Sequence, residues 1–113
     1  MDFSRKHRLI ANEEFKSIFD KAERISQKQM TVLYKPNQKA YPRLGISVGK
    51  RVSSSAVRRN RIKRIIRESF RHHRENLKNV DIVVIARQPC DKLSNQKLRE
   101  GLEKLWEKLR KST

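Results

Sequence analysis

The sequence predicts a single α+β domain, an α/β sandwich in which helices pack against a mixed four-stranded sheet. Its length of 113 residues suits one domain with one modest core. Apolar residues make up only 35% of the chain, but they are clustered rather than scattered. Their spacing alternates between helical and strand periods in the order α-β-β-β-α-β-α, which favours helices packed on a sheet. The domain is expected to span 1–113, with loosely ordered ends at 1–8 and 110–113.

The first predicted helix covers residues 13–23. Asn12 precedes it as a suitable N-cap, and Glu13 and Glu14 place negative charge in the first turn, where it complements the helix dipole. Apolar residues recur at helical spacing along this segment: Phe15, Ile18, Phe19 and Ala22. The segment is therefore expected to form a short amphipathic helix.

Three strands are predicted before the long central helix and one after it. Residues 29–35 are rich in β-forming side chains and end at a turn signal that begins at Pro36. Residues 44–48 alternate large apolar and small side chains, and residues 24–27 are a weaker candidate for a short strand. Residues 81–86 form a continuous, β-branched apolar run, which is typical of a strand covered on both faces.

Two longer helices are predicted in the second half of the chain. The first begins at one of three serines, Ser53, Ser54 or Ser55, and runs to about Arg74. On a helical wheel at about 100° per residue, its apolar side carries Ile62, Ile65, Ile66 and Phe70, with Ser69 among them. Its opposite side carries Asn60, Lys63, Arg64, Arg67 and Arg71. A final helix over 95–110 presents one apolar stripe of Leu98, Leu102, Leu105, Trp106 and Leu109.

Net charge is the dominant feature of the composition. The chain has 29 Lys and Arg against 12 Asp and Glu, which gives a formal charge of +17 and a pI near 10.9. A small domain needs only about 2–8 net charges to stay soluble, so the excess favours a polyanionic partner. No run approaches the ~20 apolar residues of a membrane span, and the N-terminus lacks the apolar part of a secretory signal. We therefore expect a nucleic acid and no membrane as partner, and the single cysteine, Cys90, fits a reducing cytoplasm.

The basic side of the long helix is suited to a phosphate backbone. Lys63, Arg67 and Arg71 stand at successive i,i+4 positions, where like charges destabilise an isolated helix by roughly 0.2–0.5 kcal/mol per pair. Side chains on successive turns can follow a chain of phosphates, which arginine binds bidentately. RNA is favoured over DNA, because the segment before this helix reads as a strand and so excludes a helix-turn-helix motif.

Several motifs then occur in a specific order. GISVGKRV at 45–52 is followed by RRNRIKRIIRESF at 58–70. Around them stand Arg8-Leu9, EEFKSIF at 13–19, VLY at 32–34, DIVVIAR at 81–87 and LEKLW at 102–106. Together these motifs cover nearly the whole chain and resemble the signature of the bacterial ribonuclease P protein subunit.

This resemblance implies the protein component of a ribonucleoprotein endoribonuclease. In that family the protein joins a large catalytic RNA, which removes the 5′ leader of precursor tRNA. The RNA and its bound magnesium ions perform the chemistry, so no catalytic, cofactor-binding or metal-binding residue is expected in the protein. The expected partners are the catalytic RNA and precursor tRNA, with no obligate protein partner. The resemblance also implies a left-handed βαβ crossover, whereas physical principles alone favour the right-handed form.

The resemblance assigns residues to two surfaces. The surface for the catalytic RNA comprises Arg58, Arg59, Asn60, Arg61, Lys63, Arg64 and Arg67, to which the helical wheel adds Arg71. The wheel does not direct Arg58 and Arg59 outward, so these two are expected at the helix entrance. A cleft for the single-stranded leader, between the first helix and the sheet, comprises Phe15, Phe19, Tyr34, Lys50, Arg51 and Arg87.

The aromatic residues of this cleft carry the base-stacking hypothesis. Phe15 and Phe19 are either core residues or stacking residues, and the sequence leaves both open. Tyr34 is expected at a wet edge, because its hydroxyl favours contact with water. Thr31 stands where the family often has an aromatic residue, so a complete stacking platform is not expected.

Two other functions are compatible with the composition. The main alternative is a structural RNA-binding protein, such as a ribosomal component or RNA chaperone, and a DNA-binding regulator comes third. No enzyme site is expected in the protein, since His72 and His73 point about 100° apart on a helix and match no metal-binding spacing. Cys90 is expected to be buried or half-buried rather than nucleophilic.

Overall fold

The computed structural model describes residues 22–27, 29–88 and 90–112. In this part of the chain it contains four strands, two long helices and two short 3-10 turns. The strands are β1 (Glu23–Gln27), β2 (Met30–Pro36), β3 (Arg43–Ser47) and β4 (Val80–Ala86). The helices are α1 (Ala56–His73) and α2 (Asn95–Ser112), and the 3-10 turns are Arg74–Asn76 and Cys90–Lys92. The predicted α+β class with a mixed four-stranded sheet is confirmed.

The sheet is mixed because its strands are not in chain order. The order is β1-β2-β4-β3, in which β2 is antiparallel to both β1 and β4, whereas β3 and β4 run parallel. Helix α1 connects the two parallel strands, which makes a βαβ unit. The left-handed crossover expected for this unit stays a prediction.

The main core lies between the sheet and the two helices. Both helical stripes predicted from the sequence are buried: Ile62, Ile65, Ile66, Ser69 and Phe70 on α1, and Leu98, Leu102, Leu105, Trp106 and Leu109 on α2. The helices meet at an edge-to-face contact between Phe70 and Trp106, with ring centroids 6.0 Å apart. The side chains of Met30, Val32 and Val84 fill this core from the sheet.

A second, smaller cluster lies on the other face of the sheet. Leu33 and Val83 are buried there, with Ala22 and Ile85 partly buried against them. Val83 and its neighbour Val84 are both 0% exposed although they point to opposite faces. The prediction that this strand is covered on both faces is confirmed.

Helix α1 begins where the serine run predicted it. Ser55 is the N-cap, and its Oγ accepts a hydrogen bond from the backbone N–H of Arg58 at 3.2 Å. The helix ends at His73 and is continued by the 3-10 turn, so the predicted end near Arg74 is also confirmed.

The predicted C-terminal end of the domain differs from the structure, and most of the predicted N-terminal region lies outside the described residues. Residues 110–113 were expected to be loose, but α2 continues through Ser112 because Leu109 is fully buried and the Ser112 hydroxyl donates to the Lys108 carbonyl at 2.9 Å. The predicted helix over 13–23 cannot reach its last residue, because Glu23 begins β1 opposite Tyr34. The rest of that helix up to residue 21, and the predicted loose end at 1–8, lie outside the described residues.

Candidate nucleic-acid interface

The outward face of α1 is rich in cations. Asn60, Arg64 and Arg67 are exposed and Lys63 is half-buried, on the side opposite the buried apolar stripe. Glu68 is the single acidic residue of this helix. Over the described ranges, no ion pair or side-chain hydrogen bond involves Lys63, Arg64 or Arg67. The predicted amphipathic division of the helix is therefore confirmed, and its cationic face is available to an external anion.

Arg71 differs from the other cations on this face. It is half-buried and lines a groove with Arg99 and Glu103 of α2. The cationic face is thus most exposed from Asn60 to Arg67, and its exposure decreases at Arg71, where α2 lies alongside.

Arg58 and Arg59 lie at the helix entrance, as predicted. The Arg59 Nη1 donates to the backbone carbonyl of Ser53 at 2.9 Å, across the start of α1. The Arg58 Nη1 lies 3.9 Å from the Asp91 carboxylate, and the Arg58 side chain remains 62% exposed. Arg58 therefore stays accessible to solvent, while Arg59 is partly engaged in holding the first turn.

Arg61 is placed differently from the expectation that it contacts RNA. Its Nη1 donates to the carbonyl of Leu93 at 3.2 Å and to Asn95 Oδ1 at 2.6 Å, and its Nη2 donates to the carbonyl of Asp91 at 3.0 Å. The side chain is half-buried and turned toward the start of α2. Both Nη atoms of this guanidinium already have protein acceptors about thirty residues away in the chain, Leu93 and Asn95 for Nη1 and Asp91 for Nη2, and a contact of Arg61 with RNA stays a prediction.

The three cations predicted at strand ends come together at one end of the sheet. Lys50 and Arg51 follow β3, Arg87 follows β4, and all three are exposed. They are close because the carboxyl ends of parallel strands meet at the same edge of a sheet. The side-chain amide of Gln88 donates to the Arg51 carbonyl and so joins the two loops. This end of the sheet also carries the N-terminus of α1, so the two predicted cationic surfaces are contiguous.

Thr31 has a role that the sequence did not reveal. Its hydroxyl accepts a hydrogen bond from Arg87 Nε at 3.2 Å, while the Arg87 backbone N–H donates to the Gln29 carbonyl at 2.7 Å. Thr31, at a position where the family often has an aromatic residue, thus orients the side chain of Arg87. The antiparallel pairing of β2 with β4 places these residues together, and a single sequence gives no signal for it.

The predicted aromatic cleft is not supported at Tyr34. Tyr34 is only 8% exposed and belongs to the main core, because its position is in phase with Met30 and Val32 along β2. The prediction that the Tyr34 ring lies at a wet edge is therefore wrong. Phe15 and Phe19 lie outside the described residues.

The structure also describes the surroundings of Cys90 and His73, two further reactive side chains. Cys90 is fully buried as predicted, and burial raises the pKa of its thiol to about 11. His73 Nε2 lies 2.7 Å from a Glu103 carboxylate oxygen. In the ranges that the structure describes, no three His, Cys, Asp or Glu side chains converge as a metal site. Neither described long helix has an apolar window that could cross a bilayer.

A sheet that supports a helix with a cationic outer face, next to further cations at the strand ends, defines a nucleic-acid-binding protein. Residues 3–110 match the family model described as Ribonuclease P. The chain is 48% identical over 109 residues to the ribonuclease P protein component of Pseudoalteromonas atlantica, covering 96% of this chain and 91% of the relative. The corresponding protein of Pasteurella multocida is 44% identical over 108 residues, with 96% and 91% covered.

Solved structures agree with these sequence relatives. The RNase P protein of Staphylococcus aureus superposes with a TM-score of 0.85 at 36% identity, covering 89% of this chain and 93% of that one. The RNase P protein of Thermotoga maritima gives a TM-score of 0.80 at 33% identity, with 89% and 96% covered. The chain belongs to the ribonuclease P protein family, and the resemblance drawn from its motifs is confirmed.

Proposed function

We propose that this chain is the protein subunit of a ribonuclease P holoenzyme that matures the 5′ ends of tRNA. The observation that carries the proposal is the outward face of α1, where Lys63, Arg64 and Arg67 have no acidic partner in the described structure. A buried apolar stripe holds this helix on the sheet, so the cations stand ready for the phosphates of a catalytic RNA. No described feature favours a ribosomal component or an RNA chaperone instead.

The cations at the strand ends are suited to binding the single-stranded leader. Lys50, Arg51 and Arg87 are exposed at the edge of the sheet and adjoin the first turn of α1. Contacts to phosphates do not depend on base identity, so such a group can bind the single-stranded 5′ leader of many precursor tRNAs. With Tyr34 buried, this part of the proposal rests on charge rather than on stacking at that residue.

Catalysis in this proposal belongs to the RNA and to magnesium ions that the RNA binds. The protein contributes fixed positive charge, which lowers the repulsion between two RNA molecules brought together. Its benefit should therefore be largest at low magnesium, where fewer counterions are present. A cytoplasmic location is part of the same proposal and is supported by a single, buried, unpaired cysteine.

Reconstitution tests the proposal directly. The protein is added to a bacterial ribonuclease P RNA and precursor tRNA at low magnesium, and the rate of leader removal is measured. We expect faster cleavage than with RNA alone, and a variant with Lys63, Arg64 and Arg67 all changed to Gln should lose most of the gain. A variant with Lys104, Lys108 and Lys111 of α2 changed to Gln is the control with equal charge loss. No acceleration by the unmodified protein would contradict the proposal.

A further inference from the structure

The loop between β4 and α2 crosses the first half of α1. We call it the β4–α2 loop; residues 87, 88 and 90–94 of it are described. It carries the exposed cations Arg87 and Lys92. Two backbone hydrogen bonds shape it, from Cys90 N to the Arg87 carbonyl at 2.8 Å and from Leu93 N to the Cys90 carbonyl at 3.2 Å. These bonds fix the local turn, but they do not fix the loop relative to α1.

Arg61 supplies the hydrogen bonds of that connection, beside the 3.9 Å ion pair of Arg58 with Asp91 and the packing of Cys90 and Leu93 against the main core. Its Nη1 and Nη2 reach two carbonyls of the loop, those of Asp91 and Leu93, and the side chain of Asn95 at the first residue of α2. Asp91 lies within the turn at Cys90–Lys92, Leu93 follows that turn directly, and Asn95 begins the following helix. One guanidinium thus joins α1, the β4–α2 loop and α2 at a single point.

We propose that Arg61 is a positioning residue: it clamps the β4–α2 loop to α1, so that the leader-facing cations and the RNA-facing cations form one rigid surface. This inference rests on the proposed function for its RNA-binding part. Because both Nη atoms of Arg61 have protein acceptors, its contribution is to hold Arg87 and Lys92 in a fixed relation to Lys63 and Arg64.

The geometry requires arginine rather than any cation. Nη1 and Nη2 diverge from a rigid plane, which lets one side chain donate to acceptors in different directions. Lysine carries a single ammonium on a flexible stem and cannot place donors at both positions of the fork. Arg61→Lys should therefore keep the charge and lose the clamp, which separates the two roles experimentally.

Cys90 is a built-in reporter of this clamp. It is the single cysteine of the chain, it lies in the β4–α2 loop, and it is fully buried. A thiol reagent such as dithiobis-nitrobenzoate can modify it only when the loop opens. We expect Arg61→Lys and Arg61→Gln to accelerate modification by about tenfold or more, because a charged hydrogen-bond network holds the loop closed. Arg64→Lys and Arg64→Gln, three residues along the same helix, should react like the unmodified protein.

In Arg61→Gln, the loss of charge alone would slow the modification of Cys90, whereas loop opening would accelerate it. Burial raises the pKa of Cys90, and the positive charge of Arg61 opposes that rise. Removing the charge would leave less thiolate and slow the reaction. Faster modification of Arg61→Gln therefore reports loop opening, provided that helix content and Trp106 fluorescence match the unmodified protein. Unchanged reactivity of both Arg61 variants would overturn the clamp.

The functional half is tested in the reconstituted complex with ribonuclease P RNA. Arg61→Lys should weaken binding of precursor tRNA more than binding of mature tRNA, while Arg64→Gln should weaken assembly with the catalytic RNA. If Arg61→Lys opens the loop but leaves the ratio of precursor to mature affinity unchanged, the link between clamp and leader binding is wrong. The modification of Cys90 is measured without RNA, so its outcome tests the clamp independently of the proposed function.

Discussion

The indole N–H of Trp106 donates a hydrogen bond to the hydroxyl of Ser69 at 2.7 Å, inside the core between α2 and α1. Ser69 is the polar residue that the helical wheel places on the apolar side of α1. This hydrogen bond explains why a polar side chain is buried there. Trp106 is 2% exposed, so no water is available to replace the serine.

Ser69→Ala is expected to lower the free energy of unfolding by about 1–3 kcal/mol, because it leaves a buried indole N–H without an acceptor. Urea unfolding followed by the fluorescence of Trp106, the single tryptophan, measures the change. Ser54→Ala, at an exposed serine before α1, is the matched control. A Ser69→Ala protein as stable as this control would contradict the assigned role.

Asp81 and Arg43 provide a second stability test. Arg43 Nε and Nη2 donate to the two Asp81 carboxylate oxygens at 2.9 and 2.8 Å, and Asn37 Nδ2 donates to Oδ1 at 2.8 Å. The Asp81 side chain is only 6% exposed. Arg43→Ala is therefore expected to lower the free energy of unfolding by roughly 3–5 kcal/mol, since it leaves a buried carboxylate without its main partner.

An exposed ion pair supplies the comparison for Arg43→Ala. Lys111 and Glu107 lie 3.7 Å apart on α2, with side chains 72% and 61% exposed. Lys111→Ala should change the free energy of unfolding by no more than about 0.5 kcal/mol, as is usual for a solvated i,i+4 pair. Equal losses in the two variants, measured by urea unfolding, would show that burial does not govern the Arg43–Asp81 pair.

A substitution of Arg64 tests the proposed contact with the catalytic RNA. Arg64→Gln should reduce the slope of log affinity against log salt concentration by about 0.7–0.9, the value expected for one lost phosphate contact. Filter binding to ribonuclease P RNA over a range of salt concentrations measures the slope. Lys104→Gln removes the same charge from the exposed side of α2 and should leave the slope nearly unchanged. A slope for Arg64→Gln equal to that of the unmodified protein would place Arg64 outside the interface.

Cys90 makes stability depend on alkaline pH. The folded-state pKa of its thiol is raised by burial from 9.0 to about 11. Between these values the unfolded chain loses the thiol proton and the folded chain keeps it, so stability falls as pH rises. The advantage of the unmodified protein over Cys90→Ala should therefore shrink by about 2 kcal/mol between pH 8 and pH 11. Paired urea titrations cancel the lysines and tyrosines common to both proteins, and a constant difference would refute the expectation.

Sequence patterns located each described long helix and strand, with ends that differ by one or a few residues from the structure. The buried positions of α1, such as Ile66 and Phe70, follow from the 3.6-residue repeat alone. The same reasoning could have corrected Tyr34, since it is in phase with Met30 and Val32 on a two-residue repeat. For this residue the two-residue repeat, and not the hydroxyl, determines which way the ring faces.

Long-range side-chain contacts could not be predicted in this way. Arg61 stands in a run of basic residues that all look alike in sequence, and its acceptors are about thirty residues distant. Likewise, the bond between Arg87 and Thr31 depends on the order of strands in the sheet. Local patterns give the chemistry of such residues, but only the tertiary structure says which partner each one meets.

The parallel pairing of β3 with β4 has a consequence for modularity. Among the described strands β3 has β4 as its single neighbour, and the whole of α1 lies between them in the chain. A fragment that stopped after His73 would therefore leave β3 unpaired and the apolar side of α1 uncovered. An isolated peptide of α1 would therefore not serve as an RNA-binding module. Residues that follow it in the chain are needed to hold it in its helical conformation.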